Sequence, residues 1–206
     1  EYTAEPEPWF HDVFRRDGTP YRKSEVDFIK QVTSAFSAKV DAGEVNPAKT
    51  CMMTEWGEKM TPETAWRQYP RPQMKRKDWA CLNGLWNYAV TKDSASEPGE
   101  WNGEILVPFA LEAPLSGVGR LLKPAEALWY QRSFNLDEKP QGRLLLHFEA
   151  VDYEATVWVN GQRVGMHVGG NLPFSFDISD QVKAGKNEIR LKVLDGTNAF
   201  QLRGKQ

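Results

Sequence analysis

Three carboxylates fall close together near the middle of the chain. Glu149, Asp152 and Glu154 lie between two runs of alternating apolar residues. Neighbouring carboxylates are candidates for general acid–base catalysis, because one can donate a proton while another accepts one. The same spacing is typical of a turn between strands, in which short acidic side chains accept hydrogen bonds from backbone amides. We favour the turn and assign no catalytic residue.

The histidines and cysteines do not form a reactive or metal-binding pattern. His147 alternates with leucines, and no serine and aspartate are spaced to complete a catalytic triad with it, so we interpret it as a partly buried strand residue. Cys51 and Cys81 have no further ligand at zinc-binding spacing. We expect two separate buried thiols, with a disulfide as the alternative. The residues thus indicate neither a metal nor a cofactor.

Sugar binding is better supported than catalysis. A pyranose presents an apolar C–H face to an aromatic ring and its hydroxyl groups to polar side chains, and the chain contains 8 tryptophans. Trp86, Trp129 and Trp158 lie in strand-like runs, so we expect them to pack in a core. Trp101 lies in a polar, loop-like stretch, which makes it a candidate for stacking on a sugar.

Alternating apolar residues predict the elements that must position these groups. The alternation through Leu144–Phe148 and Ala155–Val159 predicts two strands, and Asn160-Gly161 predicts a tight hairpin turn into a third strand at Gln162. Further strands are predicted from the runs 84–90, 105–107, 128–134, 174–178 and 189–193. Short strands with frequent turns predict a mostly β, antiparallel β-sandwich.

The amino-terminal quarter differs from the rest. Val26, Ile29, Val32, Phe36 and Val40 form one apolar stripe, which predicts an amphipathic helix over about 25–40. This helix is either a decoration on the sandwich or the tail of a preceding domain.

The region that follows the helix predicts a domain boundary. Residues 41–54 resemble a linker, so we divide the chain into an extension, 1–54, and a β-domain, 55–206. Thr61-Pro62-Glu63 predicts a second helix start, since proline is tolerated at the first helical position.

The composition excludes several classes of partner. Lys plus Arg total 26 and Asp plus Glu total 28, for a net charge of −2, so no nucleic-acid-binding footprint is expected. No apolar run approaches the roughly 18 residues of a membrane span. We expect neither nucleic acid nor membrane as a partner.

Several runs of residues stand in a characteristic order along the chain. They are PRPQMKRKDWACLNGLWNYAV, ILVPFALEAPLSGVG, ALWYQRSFNL, LLLHFEAVDYEATVWVNGQRVGMHVGGNLPFSFDIS, GKNEIRLKVLDGT and RGKQ. In this order they resemble the amino-terminal sugar-binding domain of glycoside hydrolase family 2, the β-galactosidase and β-glucuronidase-like enzymes. The resemblance implies a jelly-roll sandwich of the galactose-binding-domain type over residues 55–206, which we expect to lack its last strand.

The resemblance implies a supporting function. Enzymes of this family retain anomeric configuration with two glutamates that come from a separate (β/α)₈ barrel, and the barrel motifs have no counterpart here. We therefore expect a non-catalytic, carbohydrate-associated domain that is inactive alone and assists hydrolysis of O-glycosyl bonds by the barrel. The alternatives are an autonomous carbohydrate-binding module and a structural or interaction β-sandwich without sugar affinity.

The resemblance also implies site residues and partners. In the family, the loop that matches Asp195 and the RGKQ run leans toward the sugar pocket of the barrel, so Asp195, Arg203 and Lys205, with Trp101, are the expected substrate-binding residues. We expect weak sugar binding by the chain alone.

Three further expectations come with the resemblance. Either a homodimer through a sheet edge left open by the missing strand or only marginal stability is expected. A periplasmic or extracellular location is also expected. The resemblance leaves a structural calcium ion open, although no residue indicates one.

Overall fold

A computed structural model of the chain describes residues 52–196, apart from the side chain of Pro72. The chain divides into two units, residues 1–51 and 52–206, and every described residue belongs to the second. The helix predicted over 25–40, Cys51, and the candidate site residues Arg203 and Lys205 lie outside the described residues. The predicted domain boundary after residue 54 stays a prediction.

β-Strands make up most of the regular secondary structure of residues 52–196. One short α-helix, α1 (Glu55–Glu58), is capped by Thr54, whose hydroxyl accepts a hydrogen bond from the Gly57 amide, and two single 3-10 turns cover Pro72–Met74 and Pro114–Ser116. The predicted mostly β, antiparallel architecture is confirmed. The strands are β1 (Gly84–Thr91), β2 (Gly103–Val107), β3 (Ala127–Leu136), β4 (Leu145–Phe148), β5 (Glu154–Val159), β6 (Gln162–Val168), β7 (Phe174–Asp177) and β8 (Gly185–Leu194).

The strands form two antiparallel sheets. The large sheet has the order β2-β1-β3-β8-β5-β6, and the small sheet consists of β4 and β7. In the large sheet Leu194 pairs with both Ala127 and Glu154, and Glu154 pairs with Val168. These residues form one row at the edge where β8 leaves the sheet, which we call the Asp195 end. Five connections meet there: residues 92–102, the end of 108–126, 149–153, 169–173 and the segment after Leu194.

The inner face of the large sheet packs against the small sheet to form the main core. Every second residue of the central strands points inward, as the alternation predicted. Ile105, Ile189, Val157 and Val159 are fully buried, and the packed residues of the small sheet include Leu146, Phe148, Phe174 and Phe176. The sheets come closest at Gly165 of β6, which faces the ring of Phe176.

The outer face of the large sheet carries a smaller apolar cluster. Trp129 is buried and stacks on Trp158 with ring centroids 5.5 Å apart. The guanidinium of Arg190 lies over the rings of both Trp101 and Trp129. The three strand tryptophans pack as expected, because Trp86 lies in the main core and the other two lie in this cluster.

Two asparagines fix the end of the sandwich opposite the Asp195 end. Asn160 and Gly161 both have positive φ, 50° and 79°, as a type I′ turn requires. The Asn160 side chain donates to the Asn187 side chain, which is 1% exposed and also bonds the backbone of Lys183 and Gly185. The turn from β5 into β6 is therefore tied to the turn before β8.

Two predictions about local structure were wrong. Thr61-Pro62-Glu63 begins only a turn: the Thr61 amide donates to the Thr64 hydroxyl, and Trp66 then takes a left-handed φ of 48°, which a right-handed helix cannot continue. His147 is exposed instead of partly buried, because its neighbours Leu146 and Phe148 take the inward positions of β4.

Candidate functional site

Asp195 follows β8 directly and lies beside the loop 149–153. The Tyr153 amide donates to the carbonyl of Leu194 at 3.3 Å, and the Tyr153 carbonyl accepts from the Gly169 amide at 2.8 Å. These backbone bonds tie the end of β8 to the loops that precede β5 and follow β6. Asp195 is partly buried. The fold thus holds the backbone before this candidate residue in a fixed position.

Asp152 is brought to the same end of the sandwich. It is exposed, and it packs so closely on Gly170 that a Cβ atom added there would lie 2.5 Å from its Oδ1. Only glycine fits at position 170 without a shift of one of the two loops. The sequence placed Asp152 in an ordinary turn, and its closeness to the loop after β6 is a tertiary contact that no local pattern signals.

A polar cleft of about 210 Å³ opens where β4 ends and β7 begins. Arg71 donates to the carboxylate of Glu149 at 3.3 Å across it, and both side chains are more than half exposed. An exposed ion pair of this kind contributes about 1 kcal/mol or less to stability, so its groups remain available to a ligand. The residues that line the cleft are Arg71, His147, Phe148, Glu149, Pro173, Phe174 and Ser175.

Three stacked rings form the floor behind this cleft. His167 stacks on Phe174 with centroids 4.2 Å apart, and Phe174 stacks on Phe148 at 4.9 Å. Both faces of the Phe174 ring are therefore covered, which leaves its edge for contact with a ligand. The cleft offers hydrogen-bond donors and acceptors, as recognition of hydroxyl groups requires.

Trp101 lies on the outer face of the large sheet. Its ring lies 5.7 Å from the guanidinium carbon of Arg190, and it packs against the cluster that contains Trp129. Arg190 also pairs with Glu97 at 3.6 Å, so the loop 92–102 is fastened to β8. The structure places Asp195 and Asp152 at one end of the sandwich, whereas Trp101 is engaged in a cation–π contact on the outer face.

The described residues supply no evident metal or membrane site. Within 52–196, no group of three or more His, Cys, Asp or Glu side chains is placed to hold a metal ion. No helix in that range has both the length and the apolar character of a membrane span. Cys81 is a free thiol. The chemistry available at the Asp195 end is hydrogen bonding by carboxylates, a guanidinium and hydroxyl groups.

The described residues form a two-sheet antiparallel β-sandwich with a polar loop edge. Residues 119–204 match the family model described as "Glycosyl hydrolases family 2, sugar binding domain". The match to this family model agrees with the resemblance found in the sequence.

Several similar proteins are named beta-galactosidase or beta-glucuronidase. The chain is 46% identical over 66 residues to a beta-galactosidase of Thermoanaerobacter pseudethanolicus, a match that covers 32% of this chain and 9% of the relative. It is 33% identical over 135 residues to the beta-glucuronidase of Canis lupus familiaris, covering 57% and 20%. Among solved structures, a Lactobacillus rhamnosus beta-glucuronidase is 31% identical with a TM-score of 0.45, covering 55% and 20%. The chain spans a fifth or less of the length of these relatives.

Proposed function

We propose that this domain supports substrate recognition in a β-glucuronidase- or β-galactosidase-like glycoside hydrolase whose cleavage of the O-glycosyl bond occurs in a separate catalytic barrel. The observation that carries the proposal is the Asp195 end, where a carboxylate follows β8 directly and backbone hydrogen bonds tie the loops 149–153 and 169–173 to the end of that strand. The family match and the names of the relatives support the substrate class.

The proposed role of the Asp195 end is to supply hydrogen bonds to sugar hydroxyl groups at the rim of the barrel pocket. A carboxylate accepts such bonds at both oxygens, and charge-assisted bonds are roughly twice as strong as neutral ones. Asp152 is a second candidate, because its loop bonds the end of β8 through Tyr153. Arg203 and Lys205 are proposed to contribute from the segment that follows.

The test uses the enzyme with its barrel present. Asp195→Asn and Asp152→Asn should each reduce kcat/KM for an aryl β-glucuronide or β-galactoside by about tenfold or more, since a charged hydrogen bond contributes about 1.5–3 kcal/mol. Asp137→Asn is the matched control. Asp137 is an exposed aspartate just after β3, at the opposite end of the sandwich, and its replacement should leave kcat/KM unchanged.

Equal activity of the wild type and both test variants would contradict the proposal. Micromolar binding of a monosaccharide by the 206-residue chain alone, measured by calorimetry, would instead favour an autonomous carbohydrate-binding module. Trp101→Ala tests the remaining candidate: a loss of sugar binding without a loss of stability would assign it to the site, whereas a loss of stability alone would assign it to the outer-face cluster.

We also propose that an open edge of the large sheet can pair with a second copy of the chain. The edge strands are β2 and β6, and β6 exposes Met166 and Val168 at about half of their surface. Unpaired edge groups beside apolar side chains favour strand addition. Sedimentation of the chain at increasing concentration tests this, and a monomer at all concentrations would contradict it.

A further inference from the structure

Two arginines converge on a single backbone oxygen near the start of β1. Nη1 of Arg67 and Nη1 of Arg132 both donate to the carbonyl of Asn83, at 3.4 and 3.2 Å. The two nitrogens therefore lie within about 7 Å of each other, a separation at which two positive charges repel. The arrangement concentrates positive charge at one place on the domain.

No carboxylate of residues 52–196 forms an ion pair with either arginine, although several other arginines of that range are paired. Burial and the charge of Arg67 both lower the pKa of Arg132. The pKa of Glu63 is lowered mainly by hydrogen bonds to its own backbone and to the Thr61 side chain, and to a smaller extent by the positive charge of Arg67. Within residues 52–196, neither guanidinium group therefore has a carboxylate at ion-pair distance, and Glu63 interacts with Arg67 only from farther away.

Both guanidinium groups keep hydrogen-bonding capacity. Arg67 uses one further donor on the carbonyl of Cys81, and Arg132 uses one on Leu85. A guanidinium has five N–H donors, so each arginine retains donors for an additional acceptor. Planar forks of this kind match the oxygens of a carboxylate or a sulfate group.

Gly84 is buried close to both arginines. A Cβ atom at this position would lie 3.2 Å from Nη1 of Arg132, 3.2 Å from the carbonyl oxygen of Pro62 and 3.7 Å from Nη1 of Arg67. Gly84 also has a φ of 121°, which side chains other than glycine rarely adopt. The close approach of both guanidinium groups to the backbone here therefore requires glycine.

An exposed tryptophan directly precedes Arg67 in the chain. Trp66 precedes Arg67, its side chain is 60% exposed, and its carbonyl accepts from Nδ2 of Asn83 at 3.1 Å. Its φ of 48° lies in the left-handed region, which is uncommon for a bulky residue and needs support from surrounding contacts. The carbonyl of Asn83 accepts from both arginines and its side chain donates to the carbonyl of Trp66, so one residue links the backbone of this exposed tryptophan to the two guanidinium groups.

We propose that Trp66, Arg67 and Arg132 form a second saccharide-binding site, which takes a pyranose that carries a carboxylate or sulfate group. The indole contacts the apolar face of the sugar ring, and the guanidinium groups bind the anionic oxygens. Arg132 lies five residues along β3 from Ala127, the partner of Leu194, which is about 16 Å of extended chain. The site is therefore separate from the Asp195 end.

Nuclear magnetic resonance of the indole N–H of Trp66, assigned with Trp66→Phe, tests the proposal on the 206-residue chain. Methyl β-D-glucuronide or a 6-sulfated methyl glucoside should shift this signal saturably, and the neutral methyl β-D-glucoside should bind at least about tenfold more weakly. Which anionic sugar binds more tightly distinguishes a carboxylate site from a sulfate site.

Arg67→Gln carries the decisive comparison, because Arg67 is exposed and its replacement removes the charge while keeping an amide donor. It should weaken binding at least about tenfold. Arg163→Gln, on the exposed edge strand β6, and Asp195→Asn should leave the affinity unchanged, which separates this site from the proposed function. Absence of a saturable shift, equal affinity for the neutral sugar or for acetate alone, or an unchanged affinity in Arg67→Gln would each overturn the proposal.

Discussion

Replacement of Gly165 by alanine tests how the two sheets pack. The added Cβ would lie 2.1, 2.5 and 2.8 Å from three atoms of the Phe176 ring, well inside van der Waals contact. Inserting a methyl group into a close-packed core costs about 1–3 kcal/mol, and this overlap is severe enough to expect about 3 kcal/mol. Because alanine also reduces the freedom of the unfolded chain by about 0.4–1 kcal/mol, the net loss should be about 2 kcal/mol.

Urea unfolding, followed by tryptophan fluorescence and circular dichroism, measures this loss. Thermal unfolding should shift down by about 4–8 °C in a domain of this size. Gly142→Ala is the matched control, because nothing lies within 4 Å of its added Cβ and its φ is not positive. Phe176→Leu combined with Gly165→Ala should recover part of the loss, since a smaller side chain makes room for the methyl group.

The result bears on function as well as on stability. Phe176 lies in β7, which follows the loop 169–173 at the Asp195 end. A Gly165→Ala variant that is as stable as the wild type would refute the close approach of β6 and β7. The placement of the loop against Asp152 would then need revision too.

Three further predictions concern other parts of the domain. Asn187→Ala should lower the free energy of unfolding, measured by urea denaturation, by about 2–4 kcal/mol. The change removes several buried hydrogen bonds and leaves the Lys183 amide without its acceptor. An unchanged urea midpoint would contradict this. Bonds from Ser179 and Arg143 lower the pKa of Asp177 to about 2, so its stabilising effect should be complete above pH of about 3.8 and disappear as the pH falls toward 2. Asp177→Asn should abolish that acid-dependent part of the unfolding curve, and an identical pH dependence in the variant would argue against it. The chain alone should not hydrolyse aryl β-glucuronides or β-galactosides, and turnover lost on replacing one of its carboxylates would disprove this.

The sequence determined the strands, because burial in a strand repeats every two residues and can therefore be recognised within a short stretch of sequence. Seven of the eight strands within residues 52–196 overlap runs predicted as strands. The eighth, β6, begins at Gln162 as the Asn160-Gly161 turn predicted, because that pair adopts positive φ at low energetic cost. The order of the motifs also indicated the resemblance to glycoside hydrolase family 2. By contrast, the predicted helix start at Thr61 failed because a proline at the right position says nothing about Trp66, whose backbone ends the turn.

Tertiary structure alone decided which residues meet. The sequence marked Asp195 as a candidate, but the bond between Tyr153 and Leu194 is what brings the loop of Asp152 to it. Likewise, Arg67 and Arg132 are far apart in the chain. The pairing of β1 with β3 brings Arg132 to the carbonyl of Asn83, and the segment before β1 brings Arg67 to the same carbonyl. Alternation in the sequence predicts which face of the sheet a side chain occupies. The register between distant strands determines which residues are its neighbours, and that register depends on how the whole core packs.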